Sequence, residues 1–396
     1  MALGVVTFAV YMIGSSRAFG YDAAVTMDVF VDGPPSWALT RQVVFNNHPL
    51  FSLVESLVAD VAGTSETTMR VAPVLFAALA VGLLAWRVGV HWGTEAGVTA
   101  GLVLASHPLL VPLARDARGY SLAVLCIVVM GVAVFDVRSL WLFAAAGAVG
   151  VGTHLYVGVP LAAMVAWMVA AGMFDRRWRL ALMAALSVGL SVYIGLVDRM
   201  GRGGREFQPA FLRDAGWALI GSTVAAALAF VVLLFFAVRS VRWGRPLVAL
   251  MVVGAGGVLG PWILAPPDLY DRFVYWAVPG VAVIAAWAVR VDRRLALVGL
   301  VAVASCAVPQ VDGWARDDFP NRELAARTPA DACAASWTYE AMRWYVELRE
   351  GFDCPTVALL VPDRTEPQTS RAREEWPVVC WAIPLAEIRG RTAADC

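Results

Sequence analysis

The chain has 396 residues, of which 60% are hydrophobic and 16% are charged. A soluble domain of this size does not carry so much apolar sequence, and the apolar segments have lengths near those that cross a bilayer. All 31 basic residues are arginines, balanced by 31 acidic residues, which argues against a nucleic-acid-binding protein because such a protein needs a basic excess. The composition therefore predicts a polytopic α-helical membrane protein.

Apolar segments bounded by charges and by Gly or Pro predict about eleven membrane spans. The first segment has neither a positively charged start nor an A-x-A cleavage site, so it is typical of a first span, with a signal peptide as the alternative. The fifth segment is short for an untilted span. The predicted spans are 1–16, 69–90, 96–114, 119–135, 140–152, 153–173, 180–197, 216–238, 246–265, 273–289 and 295–309.

The charges of the loops predict the orientation of the chain. If the N-terminus is inside, the short cytoplasmic loops carry 11 arginines, as the positive-inside rule requires. The opposite face then holds the first outer loop, 17–68, a second loop, 198–215, and a charged tail. We therefore expect a transmembrane domain, 1–309, and an extracytoplasmic tail, 310–396.

The first outer loop contains the stretch HPLFSLVESLVAD, 48–60, which predicts a helix lying in the membrane interface. Pro49 occupies the first helical position, and Glu55 and Asp60 fall off an apolar stripe. That stripe consists of Leu50, Leu53, Val54, Leu57 and Val58.

The tail alternates short helical and extended patterns and is typical of a small α/β unit. An even number of cysteines outside the cytoplasm predicts disulfides, and four cysteines allow three connectivities. The pattern slightly favours a disulfide between Cys333 and Cys354. A zinc site is the alternative, although no C-x-x-C spacing supports it. The four cysteines are Cys333, Cys354, Cys380 and Cys396.

The stretch LARDARGY, 113–120, places Arg115, Asp116 and Arg118 in a very short outer loop. Arginine suits a phosphate because its guanidinium presents a fork of donors. The alternative is a simple turn at the membrane surface, with Tyr120 as a headgroup anchor. Paired arginines on the outer face depart from the charge bias of the other loops, which favours a ligand.

Two further polar residues lie on the same side of the membrane. Asp22 follows the first span among small and aromatic residues and could act as a general base, or else be a solvated aspartate that ends a helix. His48 could cap the helix that Pro49 begins, or contact substrate or a metal. The sequence alone favours the capping role.

His154 and Tyr156 lie near the outer ends of neighbouring segments, and Arg272 precedes a late span, where it is either a headgroup anchor or a phosphate ligand. The sequence has no Gly-rich phosphate loop and no H-E-x-x-H motif. A lipid-linked donor therefore fits better than a soluble nucleotide sugar, since its tail can lie between spans while its phosphate meets arginines at the interface.

These sites occur in an order that resembles the GT-C membrane glycosyltransferases, specifically the branch related to protein O-mannosyltransferases and bacterial aminoarabinose transferase. The resemblance covers the membrane region, most strongly residues 19–156. The matching sites are Tyr21-Asp22-Ala23, His48-Pro49-Leu50-Phe51, Arg115-Asp116-Ala117-Arg118-Gly119-Tyr120, Thr153-His154-Leu155-Tyr156 and Arg272-Phe273.

The resemblance implies a glycosyltransferase of the bacterial plasma membrane that moves a monosaccharide from a polyprenyl-phosphate donor to a glycan, lipid or protein acceptor on the extracytoplasmic face. It implies that Asp22 is the catalytic base, that arginines bind the donor phosphate and that Asp116 orients them. The resemblance establishes no cofactor and leaves a divalent metal open. The implied phosphate ligands are Arg118, Arg272 and Arg115, and the implied supporting residues are Tyr21, His48, Asp116, Tyr120, His154 and Tyr156.

The sequence also departs from the family pattern. Ala23 stands where the family has a second acidic residue, Leu50 replaces a second proline, and Asp116 is shorter than the family's glutamate. Two alternatives stay open: a transporter or flippase of lipid-linked sugars, and a non-catalytic member of the family. The sequence shows no internal repeat of the kind common in transporters, and its polar sites gather on one face.

Overall fold

A computed structural model describes residues 1–17, 19, 21–41, 48–194, 217–240, 271–314, 333–334 and 357–358. The predicted span 246–265, the whole of the predicted loop 198–215 and nearly all of the tail lie outside these residues. The side chains of Tyr21 and Arg272 also lie outside what is described.

The described part of the chain is almost entirely helical. The π-helix Met27–Val31 directly follows the α-helix Tyr21–Thr26. Two 3₁₀ helices, Leu155–Val157 and Asp271–Ala277, directly precede the α-helices that begin at Gly158 and Val278. The α-helices are α1 (Ala2–Tyr11), α2 (Tyr21–Thr26), α3 (Trp37–Thr40), α4 (Pro49–Ala62), α5 (Glu66–Trp92), α6 (Thr94–Ser106), α7 (Leu110–Ala114), α8 (Tyr120–Phe135), α9 (Leu140–Thr153), α10 (Gly158–Ala170), α11 (Arg176–Ser191), α12 (Val224–Ser240), α13 (Val278–Val291) and α14 (Leu295–Trp314).

Two segments within the described ranges are long and apolar enough to cross a membrane, Glu66–Trp92 and Val274–Val291. The first, α5, has 27 residues; the Ser65 hydroxyl accepts a hydrogen bond from Thr68 N at its start, and Gly93, with φ +97°, ends it. The remaining apolar helical stretches have 10–17 residues. The number of membrane crossings therefore stays a prediction.

One predicted span is not a single helix. The segment 96–114 divides into α6 and α7, with His107 in an extended conformation between them. The cause is Pro108, because a residue that precedes proline is disfavoured in the α conformation. The break places the short helix α7 directly before the arginine-rich turn.

Close helix packing depends on small residues. α5 packs against α1, α6 and α8, while α9 packs against α8 and α11. A Cβ added at Gly4 of α1 would lie 2.6 Å from the carbonyl oxygen of Ala78, and one at Gly97 of α6 would lie 2.6 Å from the Cα of Gly89. Glycine at these positions lets the helix backbones approach, as is common where apolar helices pack in membranes.

Helix α4 forms at the predicted position, with Pro49 at its first turn. Its polar side faces the protein, since Ser52, Glu55 and Ser56 are buried, whereas Leu57 is 52% exposed and Val61 is 89% exposed. An amphipathic helix whose apolar side points away from the protein has the arrangement expected of a helix at a membrane interface. That location stays a prediction.

In the tail, Cys333–Ala334 and Val357–Ala358 pair as short parallel strands, with Cys333 opposite Val357. Both fall within segments that the sequence predicts as extended. The remainder of the predicted α/β unit lies outside the described residues, as do Cys354, Cys380 and Cys396. The predicted disulfides are therefore untested.

Candidate active site

The two most distinctive sequence sites meet in the structure. Arg118 Nη1 donates a hydrogen bond to Asp22 Oδ2 at 2.7 Å, across 96 residues of sequence. The Arg118 side chain is fully buried, and that of Asp22 is 21% exposed. The pair therefore joins helix α2 to the arginine-rich turn, and only its carboxylate side reaches the surface.

Local backbone geometry positions both partners. Asp22 lies in the first turn of α2, where its carbonyl accepts a bond from the Thr26 hydroxyl at 2.9 Å. Arg118 lies in the turn between α7 and α8, and its amide donates to the Asp116 carbonyl at 2.7 Å. The guanidinium also lies 5.1 Å from the centre of the Tyr120 ring.

Asp116 lies within electrostatic reach of this pair. Burial raises the pKa of the Asp116 carboxyl, the positive charge of Arg118 opposes that rise, and the negative charge of Asp22 adds to it. Two carboxyl groups and an arginine thus share one small region. Orientation of the arginines by Asp116 stays a prediction.

Arg70 is a buried arginine that the sequence analysis missed. Its Nε donates to the Arg115 carbonyl at 2.9 Å, and its Nη1 donates to the carbonyls of Ser15 and Arg17 at 2.6 Å each. These bonds join α5 to the end of the first helical segment and to the arginine-rich turn. The available signal was a charged residue inside the predicted span 69–90.

Arg115 makes a contact of the same kind. Its Nη2 donates to the carbonyl of Ile13, so Arg115 also joins the turn to the segment after α1. The carbonyls that follow a helix end have no partner within that helix. Arg70 and Arg115 supply hydrogen bonds in this region and hold the turn on which Arg118 lies.

Beside the ion pair, five aromatic rings form a cluster that we call the ring cluster. Its members are drawn from four separate parts of the sequence, and each ring centre lies between 4.8 and 5.5 Å from at least one other. The members are His48, Tyr120, His154, Tyr156 and Tyr275.

The structure thus brings together four predicted supporting residues and adds a fifth. Tyr275 is fully buried in the 3₁₀ helix before α13, three residues after Arg272, whose own side chain is not described. The signal for Tyr275 was its closeness to the Arg272 site in the sequence. Nothing in the residue pattern indicated that it faces the two histidines.

Several hydroxyls in and beside the ring cluster are buried without a hydrogen-bond partner among the described residues: those of Tyr120, Ser121, Thr153 and Tyr275. Buried polar groups in proteins are normally satisfied, and exceptions need an explanation. These hydroxyls are groups that a bound polar ligand could satisfy.

Gly119 is needed for the approach of the turn to this cluster. A Cβ there would lie 2.6 Å from Cγ2 of Thr153 and 3.0 Å from Cβ and Nδ1 of His48. Any larger residue would push apart the arginine-rich turn, the start of α4 and the end of α9.

The capping role that the sequence favours for His48 is wrong. His48 occupies the N-cap position of α4, but its side chain makes no capping hydrogen bond. The ring instead lies 4.8 Å from Tyr120 and 5.0 Å from His154. By contrast, His154 does cap: its Nδ1 accepts a bond from the Tyr156 amide at 3.2 Å.

Within the described ranges, no group of three or more His, Cys, Asp or Glu residues could hold a metal ion. What the described site offers is a partly exposed carboxylate beside a buried guanidinium, next to aromatic rings and hydroxyls. A carboxylate can accept a proton, and a guanidinium can bind an anion such as a phosphate.

No protein-family model matches the chain, and no curated protein matches it. Solved structures do match it, among them two of ArnT. The crystal structure of ArnT from Cupriavidus metallidurans bound to undecaprenyl phosphate has a TM-score of 0.63 and 12% identity, covering 96% of this chain and 88% of that one. The same protein in the apo state has a TM-score of 0.60 and 11% identity over the same shares. The family resemblance is thus confirmed at the level of the fold: this chain has the fold of ArnT.

Proposed function

We propose that the protein is an integral membrane glycosyltransferase that transfers one monosaccharide from a polyprenyl-phosphate donor to an acceptor on the extracytoplasmic side. The observation that carries this proposal is the ion pair of Asp22 and Arg118, which unites two ordered sequence sites in a chain with the ArnT fold. Crystalline ArnT bound to undecaprenyl phosphate supports a polyprenyl phosphate as the lipid partner.

Asp22 is the general base of the proposed reaction. The Arg118 guanidinium holds its carboxylate in place, and a carboxylate can accept a proton. The acceptor hydroxyl or amine gives its proton to Asp22 and attacks the anomeric carbon of the donor. The bond from that carbon to the phosphate oxygen breaks, and the configuration inverts.

Arg118 binds the donor phosphate and stabilises the negative charge that grows on it as the sugar departs. A guanidinium has five N–H donors in a planar fork, so one arginine can contact both a carboxylate and a phosphate. We assign Arg272 to the same phosphate and Arg115 to the support of the turn. Burial of Arg118 strengthens these interactions because little water competes.

The ring cluster lies where the sugar would be bound. We assign His48, Tyr120, His154 and Tyr156 to contacts with the substrate, with Tyr21 beside the base and Asp116 holding the arginines. Aromatic faces pack against the C–H side of a sugar ring, and hydroxyls satisfy its polar edge.

The test is Asp22→Asn in purified protein in detergent, with radiolabelled polyprenyl-phosphate sugars as donors and a native membrane fraction as the source of acceptors. We expect transfer to fall about 10²–10⁴-fold, while binding of polyprenyl phosphate changes little. A partly exposed aspartate on the same outer face, Asp28→Asn, is the matched control.

Each rival function predicts a different result. A transporter of lipid-linked sugars would bind the donor and move it without cleaving the sugar from the phosphate. A non-catalytic member would bind the donor and release no sugar in the wild-type protein. Transfer that persists unchanged in Asp22→Asn would show that the base is another residue.

A further inference from the structure

Glu55 is the buried acidic residue at the centre of the inner face of α4. Its side chain is fully buried, and neither carboxyl oxygen has a hydrogen-bond partner among the described residues. Its neighbour Ser56 differs, because the Ser56 hydroxyl donates towards the carbonyls of Ser52 and Phe30 at 3.0 and 3.3 Å. On the same helix face, one polar side chain is therefore satisfied by the protein and the other is not.

The environment of Glu55 favours its neutral form. Burial raises the pKa of the Glu55 carboxyl well above its usual value, because an apolar setting disfavours the charged carboxylate. A protonated carboxyl presents one O–H donor and one carbonyl acceptor. A sugar hydroxyl presents the complementary pair, since it both accepts and donates.

The helix places Glu55 beside the proposed site. One turn after it, Ala59 packs with Val58 against a cluster that contains Ala23 and Ala117, the residues adjacent to Asp22 and Arg118. Two turns before it, His48 joins the ring cluster. At a rise of about 1.5 Å per residue, Glu55 lies about 10 Å along the helix axis from His48, between these two contacts.

A purely structural role does not explain this residue. A buried carboxyl without a partner destabilises the folded state, and an apolar side chain of similar size would pack better. Proteins keep such groups mainly where function needs them, at a cost in stability. Glu55 therefore has the properties of a group that awaits a ligand.

We infer that Glu55 is a substrate-positioning residue whose buried carboxyl hydrogen-bonds a hydroxyl of a sugar bound beside Asp22. The inference rests on the proposed function, because it requires a sugar at this site. The hydroxyl belongs either to the sugar of the donor or to a glycan acceptor, and the chemistry of the contact is the same. Glu55 holds the sugar in place, and no covalent bond changes there.

Three variants test the inference in the full chain in detergent: Glu55→Met, Glu55→Gln and, as the matched control, Ser56→Ala. For each we would measure the unfolding temperature and the Kd for polyprenyl phosphate and for a polyprenyl-phosphate hexose. The rate of hexose transfer to a native membrane fraction completes the set. The ratio of the two Kd values reports the affinity that the sugar contributes.

Glu55→Met should raise the unfolding temperature by about 2–4 °C, because it removes an unsatisfied buried acid. It should also lower either the sugar contribution to donor affinity or the transfer rate, by about tenfold. Glu55→Gln, which keeps a donor and an acceptor, should recover most of that loss. Ser56→Ala should behave in the opposite way, losing stability and leaving sugar binding unchanged.

The outcomes separate the two sources of the hydroxyl. Loss of the extra affinity for the sugar-bearing lipid assigns the contact to the donor, while intact affinity with slower transfer assigns it to the acceptor. If Glu55→Met lowers the unfolding temperature, or raises it while binding and transfer stay as in the wild type, the inference is wrong.

Failure of the proposed function gives a distinct result. A wild-type protein that binds the hexose-bearing lipid more tightly through Glu55 but transfers nothing would contradict the transferase and keep the role of Glu55. Transfer that depends on Asp22 but not on Glu55 would support the transferase and contradict the role of Glu55.

Discussion

Two polar regions near the proposed site differ in how their hydrogen-bonding groups are satisfied. In the arginine-rich turn and its surroundings, the guanidiniums of Arg70 and Arg115 donate to main-chain carbonyls of Ser15, Arg17 and Ile13, and Arg70 also donates to that of Arg115. In the ring cluster, the hydroxyls of Tyr120 and Tyr275 are buried with no partner among the described residues. A satisfied network holds a fold together, whereas unsatisfied groups indicate where a ligand binds.

The largest expected effect tests the hydrogen bonds around the arginine-rich turn. Arg70→Met should destabilise the protein by about 3–5 kcal/mol, because it leaves three main-chain carbonyls without their donor. Thermal unfolding in detergent measures the loss. Arg87→Met in the same helix is the control: Arg87 pairs with Asp136 where both side chains are partly exposed, so about 0–1 kcal/mol is expected. Equal losses would remove the distinction between the two arginines.

The next effect distinguishes the arginine that binds a ligand from those that hold the turn. Arg118→Ala should weaken binding of polyprenyl phosphate by about tenfold to a hundredfold. Arg115→Ala should change that Kd less and lower the unfolding temperature instead, because the Ile13 carbonyl loses its donor. Similar small changes in affinity for both variants would make the stretch a simple turn.

A smaller effect tests the buried hydroxyls of the ring cluster. Tyr275→Phe removes a hydroxyl that has no described partner, so stability should stay the same or rise while hexose transfer falls several-fold. Tyr11→Phe is the control, since the Tyr11 hydroxyl donates to the Ala105 carbonyl. That variant should lose about 1 kcal/mol of stability and keep its transfer rate. The reverse pattern would mean that the Tyr275 hydroxyl supports the fold.

The smallest effect concerns pH. The pKa of Asp116 is raised in the folded state, so the folded protein holds this proton more strongly than the unfolded chain does. The contribution of Asp116 to the free energy of unfolding is therefore fully present at low pH. It is lost as the pH rises from the pKa of the unfolded state through the pKa of the folded state. Asp116→Asn should flatten that decline, which unfolding temperatures measured from about pH 4 to 7 would show. A steeper decline of the unfolding temperature with pH in the variant would contradict a raised pKa of Asp116.

The sequence was sufficient to predict the helical fold and to select Asp22 and Arg118 as site residues, but it did not predict that the two form an ion pair. Asp22 and Arg118 stand in short polar sites between apolar segments, where a charge is conspicuous and where topology puts them on one side. The fold follows for a related reason, because periodic apolar segments dominate the composition. Both inferences depend on local patterns that tertiary packing does not alter.

The remaining features depend on contacts between distant segments. In the sequence, Arg70 is only a charge at the edge of a predicted span. Its role depends on hydrogen bonds to the carbonyls of Ser15 and Arg115, which are distant in the sequence. His48 has the position of a helix cap, yet ring contacts with Tyr120 and His154 determine its orientation. Glu55 falls off the apolar stripe, which suggests exposure to water, but α4 turns that side towards the protein.

The π-helix Met27–Val31 has a consequence for how the base is aimed. A π turn holds one more residue than an α turn, so it accommodates an extra residue while the chain on either side keeps its direction. The segment with this turn lets Asp22 meet Arg118 while the Phe30 carbonyl accepts a hydrogen bond from Ser56 of α4. The direction of the carboxylate therefore depends on the length of the segment as well as on its residues, and inserting one further residue at 27–31, a rotation of about 100°, should disable Asp22 without changing that residue.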